Sequence, residues 1–81
     1  ILRMEWISKD NKLEKTFVFK DFVHAFAFLT QVAFEAEKQQ HHPEIFNVYN
    51  KVTLKLQTHD AGNIVTEKDY SLAKAIDKFY E

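Results

Sequence analysis

Apolar and polar side chains alternate along the first twenty residues, which is the pattern of β-strands with one buried face. Two alternating segments, 3–9 and 14–20, are separated by the polar residues 10–12. The acidic, amide and basic side chains of this short segment favour a turn. Phe17 and Phe19 fall on the same side of the second segment. The pattern therefore predicts a β-hairpin with both rings on one face.

At residue 21 the apolar spacing changes to three and four, which is the spacing of one helix face. Asp21 is placed to cap the N-terminus of this helix. The helix is predicted to end near Gln40 because His42 precedes Pro43, and the residue before a proline is disfavoured in the α conformation. The apolar face predicted for the helix comprises Phe22, Ala25, Phe26, Leu29, Val32, Ala33 and Ala36.

A second, narrower apolar stripe runs along the same predicted helix and consists of Val23, Ala27 and Phe34. His24 lies among the polar residues of the helix, outside this stripe. A helix that is apolar on two sides usually packs against more than its own sheet. The simplest partner is a second copy of the chain, because a symmetric patch needs no other protein. We therefore expect a homodimer or a homotetramer.

A hairpin and a helix are predicted again in the second half of the chain. Residues 41–43 form a loop, strands follow at 44–48 and 51–59, and residues 49–50 form the bend between them. Apolar and polar residues alternate in the second of these strands, so one of its faces is expected to be wet. A turn at residues 60–63 holds the only glycine in the sequence.

The last helix is predicted to begin at Thr66, since apolar residues again recur at helical spacing. Asp69 lies three residues later, in the position of a capping box. The buried face comprises Leu72, Ala73, Ile76 and Phe79. The predicted order is ββαββα, an α+β fold of two layers in which a four-stranded antiparallel sheet carries two helices packed on one face. Residues 1–81 are expected to form a single domain.

The composition limits the classes of function. The chain has 81 residues, of which 46% are hydrophobic, and this is enough for one globular domain. The formal net charge is −1 and the 11 basic residues are spread along the sequence, so direct binding of nucleic acid is not expected. The absence of cysteine excludes disulfides and thiolate metal ligands. Polar residues interrupt every apolar run, so we expect a cytoplasmic protein without a membrane partner.

Three of the four histidines belong to one spaced pattern of residues. The pattern comprises Glu37, His41, His42, Pro43, Tyr49, His59 and Asp69. Together with the string HHPEIFNVYNKV at 41–52 and the segment THD at 58–60, it closely resembles the pterin-4a-carbinolamine dehydratase family. The resemblance extends from Trp6 to Phe79, and the spaced anchors occur within an agreeing ββαββα order. This makes the resemblance specific.

The resemblance implies a reaction that needs an acid and a base. The family removes water from 4a-hydroxytetrahydrobiopterin, a product of aromatic amino-acid hydroxylases, and forms the quinonoid dihydropterin for tetrahydrobiopterin recycling. The hydroxyl leaves readily only as water, so it needs a proton donor, and ring N5 must lose a proton. Imidazole, with an unperturbed pKa of about 6.5, serves both purposes near neutral pH. No cofactor is expected.

The resemblance also implies that His41, His42 and His59 are the catalytic residues. We assign proton transfer to His41 and His59, which are both expected on the solvent-exposed side of the core, and binding and polarisation to His42. Glu37 is expected to accept a hydrogen bond from an imidazole, and Pro43 to fix the backbone of the loop. The substrate-binding residues implied by the resemblance are Glu37, His41, His42, Pro43, Thr58, His59, Asp60 and Asp69.

Alternatives exist for these residues. Asp69 is explained by helix capping as well as by contact with substrate. A metal site would also use histidines and carboxylates, but zinc needs three or four converging ligands. Neighbours such as His41 and His42 point to opposite sides of an extended backbone, so we expect no metal. His24 lies outside the motif and is expected to have no catalytic role.

The chain departs from the family pattern in two places. Members commonly carry a short helix before the first strand, and we expect that helix to be absent here. The residue after Glu44 is often tryptophan in animal members and is Ile45 in this sequence. A smaller side chain at this position is expected to form a looser wall for the side chain of the pterin.

The resemblance implies two other hypotheses about function. Animal members of the family also act as a dimerisation cofactor for a homeodomain transcription factor, which they bind through an apolar helix surface. The second apolar stripe is a candidate surface for such a helix. A protein that binds pterins with little turnover is the remaining hypothesis, and an enzyme assay separates it from the others.

Overall fold

The computed structural model describes residues 5–80. The chain forms β1 (Ile7–Lys9), β2 (Lys12–Val18), α1 (Phe22–Gln39), β3 (Glu44–Val48), β4 (Lys51–Leu56) and α2 (Glu67–Tyr80). Neighbouring strands pair antiparallel in the order β1-β2-β4-β3. The predicted ββαββα order and the four-stranded antiparallel sheet are therefore confirmed. Residues 3 and 4, which the sequence assigned to the first strand, lie outside the described residues.

The turn between β1 and β2 is shorter than predicted. Lys9 pairs with Lys12 across the hairpin, so only Asp10 and Asn11 remain in the loop. Both have positive φ angles, 53° and 61°, as a two-residue turn that matches the twist of the strands requires. Asp and Asn adopt this conformation more readily than other non-glycine residues. For this reason β2 begins at residue 12 and not at residue 14.

The core lies between one face of the sheet and both helices. Its buried side chains come from β2, β4, α1 and α2. The apolar side chains with no exposed surface are Phe17, Ala25, Val32, Val52, Leu54, Leu56, Leu72 and Ile76. The predicted buried face of α2 is confirmed, with Phe79 packed at its margin. Within residues 5–80 no helix is long and apolar enough to cross a membrane.

The buried face of α1 is narrower than predicted. Phe22, Phe26 and Ala33 were expected in the core and are exposed, so that expectation is wrong. Phe28, which the spacing did not select, is only 3% exposed and packs 4.8 Å from the ring of Phe17, measured between centroids. One sheet covers a single stripe of a helix, and the remaining apolar residues of α1 are left on its outer surface.

Asp21 caps α1 as predicted. Its Oδ1 accepts a hydrogen bond of 2.8 Å from the backbone N–H of His24 and lies 2.6 Å from Nδ1 of the same residue. The backbone hydrogen bond is the largest cause of a lowered pKa of Asp21, and the contact with the imidazole is the next. The ring and the backbone N–H of His24 therefore both contact Asp21 at the start of the helix.

β4 ends at Leu56, three residues before the predicted end at residue 59. The chain then reverses, because the N–H of Thr58 donates to the carbonyl of Ile64 at 2.9 Å and forms an isolated bridge. His59–Ala61 is a short 3₁₀ turn that ends at Gly62, whose φ is 91°. The alternation of side chains had suggested that His59 ends a strand. In the structure His59 is part of a turn.

The C-terminal half of α2 is fixed to the sheet by long-range contacts. Trp6 Nε1 and Lys15 Nζ both donate to Asp77 Oδ1, at 3.0 and 2.8 Å. The hydroxyl of Tyr80 donates to the carbonyl of Val18 at 2.9 Å. These contacts define the position of α2, and with it the position of the N-terminal turn that belongs to the candidate site.

Candidate active site

The end of α1 orients His41 through backbone hydrogen bonds. Gln40 adopts a left-handed conformation with φ 52°. Its N–H donates to the carbonyl of Glu37 at 3.2 Å, and the N–H of His41 donates to the carbonyl of Ala36 at 3.0 Å. This pair of bonds forms a Schellman motif, which ends many helices and is usually built on glycine. The hydrogen bonds at the end of the helix therefore fix the backbone of His41 and the direction of its side chain.

The imidazole of His41 is bonded to a buried carboxylate. Its Nε2 lies 2.5 Å from Asp69 Oδ1, and the two side chains are 10% and 0% exposed. The other carboxylate oxygen, Oδ2, accepts hydrogen bonds of 2.8 Å from Thr58 Oγ1 and from the N–H of Thr66. The expectation that His41 lies on the solvent-exposed side of the core is wrong, because the first turn of α2 packs against the ring.

Asp69 also caps α2. Its carboxylate accepts from the N–H of Thr66, while Thr66 Oγ1 accepts from the N–H of Lys68 at 3.3 Å. This exchange between the cap residue and the first turn is the predicted capping box, which is confirmed. Since Asp69 has no exposed surface, its carboxylate is connected to the site through His41.

His42 faces solvent, unlike its neighbour. Its Nε2 lies 2.7 Å from Glu37 Oε2, and the two side chains are 59% and 70% exposed. Glu37 therefore contacts an imidazole, as the sequence suggested. Because both groups are exposed, water screens their attraction and the pair contributes little to stability.

His59 reaches the site from the 3₁₀ turn that follows β4. Its Nδ1 lies 3.0 Å from Asn63 Oδ1, within the same reversal of the chain. Thr58, the residue before it, is bonded both to Ile64 and to Asp69. The turn that carries His59 and the first turn of α2 are thus joined by hydrogen bonds.

The three histidines meet at a single cleft of about 270 Å³. The side chains that line this histidine cleft are Gln40, His41, His42, Gln57, Thr58, His59, Asp60 and Lys68. Among the predicted substrate-binding residues, exposed Glu37 contacts His42 and buried Asp69 contacts His41, and neither is part of the lining. Pro43 is next to His42 in the loop and is not part of the lining. Five of the eight predicted residues therefore line the cleft, and two more contact its histidines.

Three residues of the cleft were not singled out by the sequence: Gln40, Gln57 and Lys68. Each is a sequence neighbour of a predicted residue, but neighbours on a strand or a helix usually point in different directions. Lys68 reaches the cleft because the capping box brings the first turn of α2 beside the turn of His59. Such an approach of distant segments leaves no signal in residue spacing.

Each histidine ring has a different polar partner. These partners lie on α2, on α1 and in the 3₁₀ reversal, respectively. The described part of the chain, residues 5–80, contains no group of three or more histidine, cysteine or acidic side chains placed to bind a metal ion. The arrangement is suited to proton transfer and hydrogen bonding at three separate positions.

Ile45 does not border the histidine cleft. It lines an apolar groove of about 440 Å³ between α1 and β3, which we call the α1–β3 groove. The groove is lined by Phe26, Leu29, Thr30, Ala33, Phe34, Ile45 and Asn47. The expectation that Ile45 forms a wall for the side chain of the pterin therefore stays a prediction, and within one chain Ile45 lies outside the lining of the histidine cleft.

Known proteins that are similar to this chain fall in one family. The family model described as pterin 4 alpha carbinolamine dehydratase matches residues 2–79. A protein of Solibacter usitatus that carries the provisional name pterin-4-alpha-carbinolamine dehydratase is 51% identical over 75 residues. This match covers 93% of the present chain and 78% of the relative.

Solved structures give the same result. The crystal structure of a transcriptional coactivator/pterin dehydratase from Brucella melitensis is similar with a TM-score of 0.87 and 40% identity, over 96% of this chain and 82% of that chain. A pterin dehydratase-like protein identified as a RuBisCO assembly factor in the α-carboxysome has a TM-score of 0.75 and 24% identity, over 95% and 88% of the two chains. This second likeness shows the fold alone. With a family model that spans residues 2–79 and a relative at 51% identity, the chain belongs to the pterin 4 alpha carbinolamine dehydratase family of hydro-lyases.

Proposed function

We propose that this chain dehydrates 4a-hydroxytetrahydrobiopterin to the quinonoid dihydropterin by histidine general acid–base catalysis, as a step of tetrahydrobiopterin recycling. The observation that supports this proposal is the meeting of His41, His42 and His59 at one cleft. Imidazoles donate and accept protons near neutral pH, and the dehydration needs one group of each kind.

The size and polarity of the histidine cleft suit a small, flat and polar substrate. Its volume of about 270 Å³ is close to the lower end of the range of small-molecule sites, roughly 300 Å³. All eight lining residues carry polar side chains. A bicyclic pterin ring, which presents several hydrogen-bond donors and acceptors along its edges, matches such a lining better than an apolar ligand would.

The dehydration involves two proton transfers at two different atoms. N5 loses a proton, its electron pair forms the C4a=N5 bond, and the C4a–O bond breaks as the hydroxyl gains a proton and leaves as water. We assign these transfers to His41 and His59. They enter the cleft from separate elements, the end of α1 and the turn after β4, and can therefore act on two atoms of one substrate.

The remaining side chains of the cleft are suited to binding. Gln40 Nε2 donates to the carbonyl of Glu37 at 2.8 Å, and Gln57 Nε2 donates to the carbonyls of Asn11 and Asn63 at 3.1 and 3.0 Å. Gln57 uses both N–H groups of its amide in this way and Gln40 uses one of its two, so both glutamines offer an oxygen acceptor to the N–H groups of a substrate. We assign binding and polarisation to His42, whose exposed ring is free to adjust to the bound pterin.

The proposal is tested by a dehydratase assay with 4a-hydroxytetrahydrobiopterin generated in situ. The substrate also dehydrates slowly in water, so a rate without protein must be subtracted. We expect chelator-treated protein to accelerate the reaction well above that rate. A protein that binds the pterin by calorimetry but does not accelerate the reaction would be a non-catalytic pterin-binding protein, and the proposal would be wrong.

We propose that the α1–β3 groove is covered by a second copy of this chain. Phe34, which lines the groove, and Val23, which lies on the second apolar stripe of α1, are 74% and 71% exposed. In the described part of the chain, β3 has a strand neighbour on one side only, and its residues Ile45 and Asn47 line the groove. An open strand edge next to an apolar helix surface is the combination that two copies can cover reciprocally about a two-fold axis.

Sedimentation of two variants tests this assembly. Phe34→Glu places a charge in the expected contact, where loss of hydration without a partner is unfavourable, so we expect a smaller species than the wild-type dimer or tetramer. Gln31→Glu adds the same charge to the polar side of α1 and should sediment as the wild type does. A wild-type monomer at micromolar concentration would contradict self-association.

The other occupant proposed for the α1–β3 groove is a helix of another protein, as the family resemblance implies. The Brucella melitensis relative is described as a transcriptional coactivator as well as a pterin dehydratase. Monomeric wild-type protein would favour this dimerisation-cofactor function over self-association.

We also propose that the protein is cytoplasmic, as expected from the sequence. Cell fractionation would test this location.

A further inference from the structure

We infer that Asp69 is a positioning residue that holds His41 in the tautomer protonated on Nε2, so that Nδ1 is the atom that accepts the N5 proton of the substrate. The assignment rests on the proposed dehydration and names the ring atom and the direction of one of its two proton transfers. It differs from both sequence-based interpretations of Asp69, which were a helix cap and a direct ligand of the substrate.

The contacts of the carboxylate determine the tautomer. A carboxylate accepts hydrogen bonds and donates none. Asp69 Oδ1 lies 2.5 Å from His41 Nε2, so the hydrogen of this bond belongs to Nε2. A neutral imidazole has one N–H, and Nδ1 therefore carries the lone pair. Since Nε2 is directed at a residue with no exposed surface, Nδ1 is the nitrogen left for the substrate.

The hydroxyl groups behind Asp69 can be oriented by the same reasoning. Thr58 Oγ1 donates its hydrogen to Asp69 Oδ2, so in the 2.6 Å contact between the two threonine hydroxyls it is Thr66 that donates. Thr66 Oγ1 in turn accepts from the N–H of Lys68. Each hydrogen has one acceptor, and the Oδ2 side of the carboxylate is fixed by two donors.

This arrangement provides His41 with a base atom and a stabilised product. When the N5 proton moves to Nδ1, the imidazole becomes a cation whose Nε2–H still donates to the carboxylate, and such a charge-assisted bond is stronger than a neutral one. The electron pair of the N5–H bond forms the C4a=N5 bond, and the departing hydroxyl takes its proton from the acid, which we assign to His59 in its imidazolium form. His59 ends neutral and His41 ends as the cation, so atoms and charge balance, and proton exchange with water then restores both residues.

Asp69→Asn is the variant that separates positioning from capping. Thr58 and the N–H of Thr66 both donate to the Oδ2 position, so the amide oxygen of Asn is expected there. The amide NH₂ then faces His41 Nε2 and donates to it, which forces the hydrogen of the imidazole onto Nδ1. A base with its lone pair turned away from the substrate is expected to lower kcat by about 10²-fold or more with little change in KM.

The nitrogen-15 chemical shifts of His41 provide a readout that a merely structural role would not move. We expect Nε2–H in the wild type and Nδ1–H in Asp69→Asn. Ile76→Val, which trims a fully buried side chain of the same helix, is the matched control for lost stability and is expected to keep the tautomer and kcat of the wild type. A wild-type His41 protonated on Nδ1 would overturn the inference even if the variant failed to fold.

The inference and the proposed function fail in different ways. If His41→Ala is inactive while folded Asp69→Asn keeps wild-type kcat, the dehydration by histidine stands and the positioning role of Asp69 is wrong. If wild-type protein does not dehydrate the substrate, the proposed function is wrong, and the base assignment of Nδ1 is wrong with it.

Discussion

His41 and His42 are neighbours in the sequence, yet their environments are opposite. The side chain of His41 is 10% exposed and contacts a carboxylate with no exposed surface, whereas the side chain of His42 is 59% exposed and its partner Glu37 is 70% exposed. A pair of exposed charged groups contributes about 0–1 kcal/mol to stability. A buried acceptor that loses a donor is destabilising by about 1–3 kcal/mol.

This contrast suggests a division of tasks within the cleft. The ring of His41 is held before the substrate arrives, and a group that is already in place needs no reorganisation during the reaction. The ring of His42 is restrained only by a solvated carboxylate and can follow the substrate. Substitution of His41 should therefore lower stability and kcat. Substitution of His42 should mainly raise KM.

The largest expected effect is that of His41→Ala. It removes a proton-transfer group, so kcat should fall by about 10²-fold or more. It also removes one donor from buried Asp69, so the free energy of unfolding should fall by about 1–3 kcal/mol. Kinetic assay and urea denaturation measure the two changes. The control is His41→Gln, whose amide can still donate to Asp69, so it should recover much of the stability and none of the activity. If His41→Ala is as stable as the wild type, the buried contact between His41 and Asp69 is contradicted.

His59→Ala sharpens the comparison, since it should reduce catalysis alone. The ring of His59 is exposed, and its hydrogen-bond partner is Asn63 of the same turn. We expect kcat to fall by about 10²-fold, while the free energy of unfolding stays within about 0.5 kcal/mol of the wild type. Destabilisation equal to that of His41→Ala would show that burial does not distinguish the two histidines.

A smaller effect is expected at the exposed pair. His42→Ala should raise KM by about tenfold, the value of one hydrogen bond, with a smaller change in kcat, because a group that binds ground and transition states alike affects mainly KM. Glu37→Gln should change KM in the same direction and by less, since its amide can still bond to the ring. A fall in kcat at constant KM for His42→Ala would assign it a proton-transfer role.

The smallest effect concerns the cap of α1 and appears in the pH dependence of stability. The pKa of Asp21 is lowered in the folded protein, chiefly by the backbone hydrogen bond from His24. A lowered folded pKa stabilises the protein above the unfolded value, about 3.9, and this contribution is lost as the pH falls through the folded pKa. The difference in Tm between wild type and Asp21→Ala should therefore narrow between pH 5 and pH 2. A difference that stays constant would contradict the cap.

Local features of the fold were predictable from the sequence, because their causes are local. The cap at Asp21, the capping box of Thr66 and Asp69 and the order of elements all follow from residues within one helical turn or one strand of each other. That the three histidines belong to one site was implied by the resemblance of the spaced pattern to the pterin-4a-carbinolamine dehydratase family, and not by local chemistry. Chemistry that depends on residue type at short separation is readable in the sequence.

Features that depend on tertiary contact were missed. The bond between His41 and Asp69 joins residues 28 positions apart, and nothing in the spacing shows that α2 covers the ring. The burial of Phe28 in place of Phe22 depends on where the sheet touches α1. The strand prediction through His59 failed because the chain reverses at Thr58 while the alternation of side chains continues.

The central claim is that histidines carry out the proton transfers. Its most direct test is the rate of dehydration by the double variant His41→Gln, His59→Gln, whose glutamines keep the polar contacts but cannot exchange protons near neutral pH. We predict a rate close to that without protein, from a variant that is folded by circular dichroism, while His24→Gln retains the wild-type rate. A folded double variant with near-wild-type activity would contradict the account.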